Sequence, residues 1–326
     1  MSTVISSEQA LRSAVRSALV APSIFNTQPW RWQLDPPRAR LYADRSRQLL
    51  VADPTGRLLT ISCGVALHHA RTVLAATGQI ADVARLPDPA DRDLLAELTV
   101  EGCAEPQLEQ LLAAGAIQRR RTDRRPFSPR PVPEAACRTL ARAAGRQGAH
   151  ALALDRDRVP LFALTAVRAS LMELADPDYR AELADWTHRP PWSGDGVDTG
   201  SSVRAVARRV PVRDYAPFGG PTLPAGPEDD RGARYLLIYT DTDLPGDWIR
   251  AGEALSAVLL SAVSAGLATA PISDVTELSA TRDELRELLP RPGCPQIAVR
   301  IGYPPDGTPP PTARRLPEEV VELPPC

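Results

Sequence analysis

QRRRTDRRPF, residues 118–127, crowds Arg119, Arg120, Arg121, Arg124 and Arg125 around Thr122 and Asp123 and stops at Pro126. Its counterpart is APSIFNTQPW, residues 21–30, which sets Ser23, Asn26, Thr27 and Gln28 between Pro22 and Pro29. Each has an ordinary alternative: a solvated basic turn for the first, a helix-terminating turn for the second. What the ordinary alternatives leave unexplained is chemical. Guanidinium groups match phosphate oxygens two at a time, and two or three suffice for one phosphate. Amide and hydroxyl groups beside an aromatic residue suit the hydrogen-bonding edge of a flat heterocycle.

Outward from these stretches, the pattern is one of alternating helices and strands. Ser6-x-x-Gln9 opens a helix over 6–19 with a capping box. Strands are expected over 30–34, 40–43, 80–86 and 94–100, and a long helix over 58–78 ending at Gly78. The second half reads as helices over 107–117, 132–146 and 161–174, strands over 150–154, 235–239 and 296–301, and helices over 248–266 and 281–289. Residues 190–232 are rich in Gly, Pro and charge, too long for an ordinary connection, and form a candidate lid. Trp186, Trp192, Tyr215 and Phe218 either cover a flat cofactor from there or anchor the loop. Residues 304–326 read as an extended arm. Gly64, Ala66, Leu67 and Gly78 in one long helix match Gly252, Ala254, Leu255 and Gly266 in the other at a single offset, 252 − 64 = 188. That repeat divides the chain into halves 1–105 and 106–326, with small residues where the two helices approach closely.

Composition excludes several classes. With 43% hydrophobic residues and a net charge of −2 over 326 residues, the chain supports a substantial core and has no global basic field for nucleic acid or a membrane. Lysine is absent, which removes Schiff-base chemistry and lysine-dependent phosphate loops. The five cysteines form no CxxC pair and fit reduced thiols in a cytoplasmic protein. The charge-free run 254–273 reads as a buried helix, not a membrane span. His68 and His69 are adjacent on a helix, point about 100° apart and lack metal-pair spacing, so no metal site is expected. No nicotinamide-binding glycine fingerprint and no GxSxG nucleophile motif is present.

With those residues in view, APSIFNTQPW resembles the PSxxNxQPW segment of FMN-dependent nitroreductases. RRTDRRPF resembles the segment that holds the FMN phosphate in that family. Their order in one chain is most similar to the actinobacterial Acg-like group, and LYADRSRQL, ISCGVALHHA, GLATAPIS and RIGYPP extend the resemblance over nearly the whole length. The resemblance implies an α/β (α+β) nitroreductase-like fold whose two fused halves form a pseudo-dimer around long central helices and mixed or antiparallel sheets. It implies FMN as cofactor, with Arg120, Arg121, Thr122 and Arg124 at the phosphate and ribityl end. Pro22, Ser23, Asn26 and Gln28 would lie at the ring or ribityl chain, and Pro271, Ile272 and Ser273 near N5. Ser273 and Asp274 are the implied neighbours of the reacting atom, and Arg300 a further phosphate ligand.

The implied activity is hydride transfer through flavin N5, linked to NAD(P)H, on a small-molecule substrate. The partners expected are therefore small molecules, with the chain a monomer or a homodimer. Two departures bear on this. Asp123 stands where the family motif has an uncharged residue, and the family's flavin-ring lysine cannot be present. The alternative is a flavin-sequestering or storage protein closed by 190–232, and a third possibility is a flavin-free remnant of the fold.

Overall fold

A computed structural model describes residues 6–204, 206–215 and 220–323. Helix α1 (Ser7–Ala18) begins with the expected capping box: the Ser6 hydroxyl accepts from Gln9 N–H, and the Gln9 side chain accepts from Ser6 N–H. Strands β1 (Trp30–Asp35) and β2 (Arg38–Ala43) form a hairpin. Helix α2 (Arg57–Ala76) follows, then the antiparallel pair β3 (Gln79–Arg85) and β4 (Leu94–Cys103). Helices α3 (Leu108–Arg119) and α4 (Glu134–Gly145) lead to β5 (His150–Ala153), α5 (Val159–Ala175) and α6 (Pro177–Thr187). The chain continues through β6 (Arg234–Thr240), α7 (Pro245–Ser264), β7 (Ala268–Ile272), α8 (Asp274–Glu277) and α9 (Ser279–Arg286). It ends in β8 (Cys294–Gly302), α10 (Pro317–Val320) and β9 (Val321–Glu322).

Two sheets result. The first has the order β3-β4-β2-β1-β9 and the second β5-β6-β8-β7. All pairings are antiparallel except the last, where β9 from the arm runs parallel to β1 at Trp32 and Gln33. Alternation directs Trp30, Trp32 and Leu34 inward from β1. The described part of the arm, 304–323, is thus extended for part of its length and then adds a strand to the first sheet.

Helices α2 and α7 cross between the sheets and are buried along almost their whole length. Glycine makes the crossing possible. A Cβ on Gly64 would run into the carbonyl oxygen of Ile249, and one on Gly252 into that of Ile61. These two contacts exchange under the 188-residue offset, as does the 2.8 Å hydrogen bond between His68 Nδ1 and Ser256 Oγ. Gly78 and Gly266 turn the chain after the two helices with φ of +76° and +75°.

Two expectations change. The run 254–273 is not one helix: α7 stops at Ser264, Gly266 reverses the chain and β7 starts at Ala268. Among the described residues only α2 has the length and apolarity of a span, and 83% of its apolar window is buried inside the protein. Helix α6 was not expected, although Asp176 caps it through Asp178 N–H and Tyr179 N–H, with Pro177 at its first position. Cys63, Cys103, Cys137 and Cys294 are free thiols, and Cys326 lies outside the described residues.

Candidate functional site

Helix α1 delivers the chain to residues 21–30, where Phe25, Asn26 and Gln28 adopt φ of 46°, 54° and 49°. Left-handed backbone at three non-glycine residues so close together is strained and persists only where surroundings enforce it. The enforcing contacts are specific. Ile24 N–H donates to Ser62 Oγ on α2, and Gln28 N–H donates to Ser23 Oγ. Asn26 Nδ2 donates to the carbonyls of Gly196 and Ala313, while its Oδ1 accepts from Arg314. Gln28 Nε2 donates to Gly194 O at 2.8 Å and its Oε1 accepts from Arg315 N–H. Both amides therefore tie the candidate lid and the arm to the 21–30 turn.

At the end of α3 the arginine cluster divides by function. Asp123 N–H bonds to Thr269 O, so the cluster is pinned to the edge of β7, next to Pro271 and Ser273. Asp123 turns its carboxylate onto Arg125, at 2.8 Å from Nη2 and 3.0 Å from Nε, and Arg125 holds the carbonyls of Asp306 and Gly307. The acid in the motif orients one arginine and faces away from the others. Arg124 lies 4.5 Å over the ring of Tyr215 and donates to Ser201, both in the 190–232 segment.

Arg120 is the unusual member. It is only 5% exposed, its Nη1 reaches Thr122 Oγ1 at 3.3 Å, and its Nε has no partner. Burial, then the nearby Arg314 and Arg121 guanidinium groups, pull its pKa down to about 9. Arg314 is similarly held down to about 10, chiefly by burial, and among the described residues it bonds only to neutral oxygens of Asn26, Val20, Thr312 and Ala313. Arg121 donates to the Gln118 and Arg120 carbonyls. Among the described residues none of these three has an acidic partner within ion-pair distance. Three clustered cations without a counter-charge fit a dianion such as a phosphate monoester.

Arg300, which the resemblance implies as a further phosphate ligand, already has a counter-charge of its own. It is fully buried on β8, bonds Asp230 at 2.7 Å, donates to the carbonyls of Asp123 and Arg125, and covers Phe127. Its guanidinium braces the arginine segment from behind and is already neutralised. Asp230→Asn keeps the side-chain shape but leaves that charge unpaired, at a cost of roughly 3–5 kcal/mol. A urea unfolding curve is expected to show that loss, and an unchanged midpoint would refute it.

Beside the cluster lies a cavity of about 60 Å³. Pro22, Ser23, Thr122, Arg124, Pro271 and Ser273 line it, over an apolar floor of Leu58, Ile61, Val65, Leu255 and Ile297. Six sequence-derived site residues thus meet in one place. Asn26, Gln28, Arg120, Arg121, Ile272, Asp274 and Arg300 do not line it. Ile272, Asp274 and Arg300 border an adjoining space of about 30 Å³, which shares Arg124, Tyr215, Pro271 and Ser273 with the first.

The lid segment is anchored by Arg213, which bridges Glu173 at 3.1 Å and Glu277 at 2.8 Å below the rings of Phe25, Tyr179 and Tyr215. Burial drives the Glu173 pKa upward, against the pull of Arg213. A folded-state carboxyl with a raised pKa holds its proton where the unfolded chain has lost it. The stability it lends is therefore lost as pH rises from the ordinary glutamate range toward the raised value. Glu173→Gln is expected to flatten the melting temperature across that window; parallel wild-type and variant curves would contradict this. Trp186 packs with Phe25, Trp192 is exposed, Tyr215 lines the cavity, and Phe218 lies outside the described residues.

Sequence reasoning missed Phe25, Ser62 and Arg314. The signal for Arg314 was available in the Arg314–Arg315 doublet of the arm.

Residues 117–303, which hold the arginine segment, β7 and β8, match the family model described as "Nitroreductase family". The chain belongs to the nitroreductase family. It is 41% identical over 340 residues to "Putative NAD(P)H nitroreductase Rv3131" of Mycobacterium tuberculosis (strain ATCC 25618 / H37Rv), spanning 99% of this chain and 94% of that protein. To "Putative NAD(P)H nitroreductase acg" of the same strain it is 34% identical, spanning 96% of this chain and 95% of that one. Among solved structures, the FMN and NADPH-dependent nitroreductase NfnB from sphigopyxis sp. strain HMH matches 64% of this chain and 97% of its own at 21% identity, with a TM-score of 0.40. The chain is also 31% identical to "Uncharacterized protein Rv3127" of Mycobacterium tuberculosis (strain ATCC 25618 / H37Rv), spanning 96% of this chain and 93% of that protein.

Proposed function

We propose that this nitroreductase-family chain binds one FMN and acts as an NAD(P)H-linked flavin oxidoreductase. The observation that carries the proposal is Arg120, a buried guanidinium without an acidic partner beside Arg121 and Arg314. These three would hold the phosphate. Pro22, Ser23, Thr122, Pro271 and Ser273 would border the ring system, and Arg124, the one guanidinium among the cavity-lining residues, would face it with positive charge in place of a lysine. When bound, the flavin supplies two-electron redox chemistry at N5. The chain positions the reactants, excludes water through the apolar floor and favours negative charge on the ring through Arg124. We read the 188-residue offset of α2 and α7 as the axis of a pseudo-dimer with halves 1–105 and 106–326 and a single such site.

A second reading is favoured by one feature. The cavity of about 60 Å³ is below the roughly 300 Å³ of ordinary ligand sites, with Tyr215 and Arg124 shared between it and the adjoining space. That volume admits neither flavin nor substrate, so the 190–232 segment must move for either, and a lid that closes again over bound flavin makes the protein a flavin store. Anaerobic mixing of the flavin-loaded protein with NADPH and with NADH separates the two. Bleaching of the flavin band, followed by reoxidation by an added acceptor, is expected. Persistent yellow with both nucleotides would favour sequestration, and a colourless protein that fails to take up FMN would defeat both.

A further inference from the structure

Helix α5 is apolar on two faces. Val159, Phe162 and Ala166 are buried against the second sheet, and Ala169 is fully buried as well. On the other side Leu161, Leu164, Val167, Leu171, Met172 and Leu174 are each between 40% and 65% exposed. Helices apolar all round are ordinarily buried all round. Neither of α5's two charged residues interrupts the outer face electrostatically: Glu173 is buried against Arg213, and Arg168 is held in a close ion pair by Glu284 of α9.

Leu164, Val167, Leu171 and Leu174 are spaced three, four and three residues apart, the spacing of a coiled-coil seam. That spacing is the same from either end. A two-fold contact requires such self-complementarity, because one surface must fit its own inverted copy. We infer that α5 is the contact through which two copies of this chain pair, antiparallel about Ala169. In this register Leu164 meets the partner subunit's Leu174, and Val167 meets the partner subunit's Leu171.

The six side chains expose roughly 500 Å² per copy, so the pair buries about 1,000 Å², the lower bound for a specific interface. A net charge of −2 per chain opposes association only weakly. A lipid surface suits the face less well. In sequence α5 is flanked by Arg156, Asp157, Arg158, Asp178 and Arg180, both signs interspersed, where a membrane-bound helix has a predominantly basic border.

Sedimentation velocity of the full chain, over concentrations into the tens of micromolar, is expected to give the mass of two chains. Leu171→Glu, on an exposed position, is expected to give one chain with unchanged circular dichroism and melting. A second measurement tests the register in a Cys103→Ser background. Val167→Cys and Leu171→Cys, once mixed and oxidised, are expected to form a disulfide several-fold faster than either alone. A wild-type chain that stays single, a Leu171→Glu variant that still pairs, or mixed cysteine variants no faster than separate ones would each overturn the inference. So would a monomer that binds anionic phospholipid vesicles through this face.

Discussion

Arg120→Ala is expected to weaken FMN binding by about 100-fold or more. A hydrogen bond to a charged group contributes roughly 1.5–3 kcal/mol, and a guanidinium facing a phosphate makes one or two of them. Each 1.4 kcal/mol is a factor of ten in affinity. Arg120 differs from a surface arginine because it has little else to bond: Thr122 at 3.3 Å is its one side-chain partner, and its Nε has none. The ligand-free protein should respond in the opposite sense. Arg120→Met removes a buried charge held against Arg121 and Arg314, so thermal stability without FMN is expected to rise while affinity falls. Isothermal titration with FMN and melting without it measure the two effects separately. Arg138→Ala, an exposed position on α4, serves as control. Equal affinities in the two alanine variants would remove the phosphate assignment, and a stability loss in Arg120→Met would show that Arg120 is satisfied in some other way.

Gly252→Ala is expected to have the largest effect on the fold, at least about 3 kcal/mol, because no side chain can yield to it. The added Cβ meets the Ile61 carbonyl oxygen and comes within 2.8 Å of Gly64 Cα, both backbone atoms of a helix packed on all sides. Relief requires α2 and α7 to separate, and they carry Leu58, Ile61, Val65 and Leu255 of the cavity floor. Flavin affinity should therefore drop along with stability. Gly115→Ala on α3, where an added Cβ meets nothing within 4 Å, is expected to be neutral or slightly stabilising. Denaturant midpoints for the two variants settle the comparison, and comparable midpoints would show that the crossing can relax.

The sequence was most legible where local chemistry determines structure. Capping at Ser6, the turn after Gly78 and the alternation in β1 depend on near neighbours, and all were readable. So were the long helices, since their glycine pattern reports how closely two backbones approach. Helix α6 was missed because charges at Asp178, Arg180, Glu182 and Asp185 obscure its apolar face, which packs under the lid segment. Strand β7 was missed because Pro271 interrupts a short run of small residues; at the sheet edge, proline loses no ladder bond.

At the candidate site, motif residues were legible as a group but not in their individual contacts. Arg120, Arg124, Arg125 and Arg300 look alike in sequence. Only long-range partners distinguish them: Asp230 neutralises Arg300, Asp123 neutralises Arg125, Tyr215 covers Arg124, and Arg120 is left with its cationic neighbours.

The pairing of β9 with β1 has a bearing on biosynthesis. Trp32 and Gln33 leave the ribosome long before Val321 and Glu322, with which they pair. Arg314, the third cation of the proposed phosphate site, arrives only shortly before them. A nascent chain lacking the arm holds Arg120 and Arg121 without Arg314, and Asn26 and Gln28 without their partners at 313–315. On the proposed reading, flavin uptake therefore waits until residues 313–322 have been made.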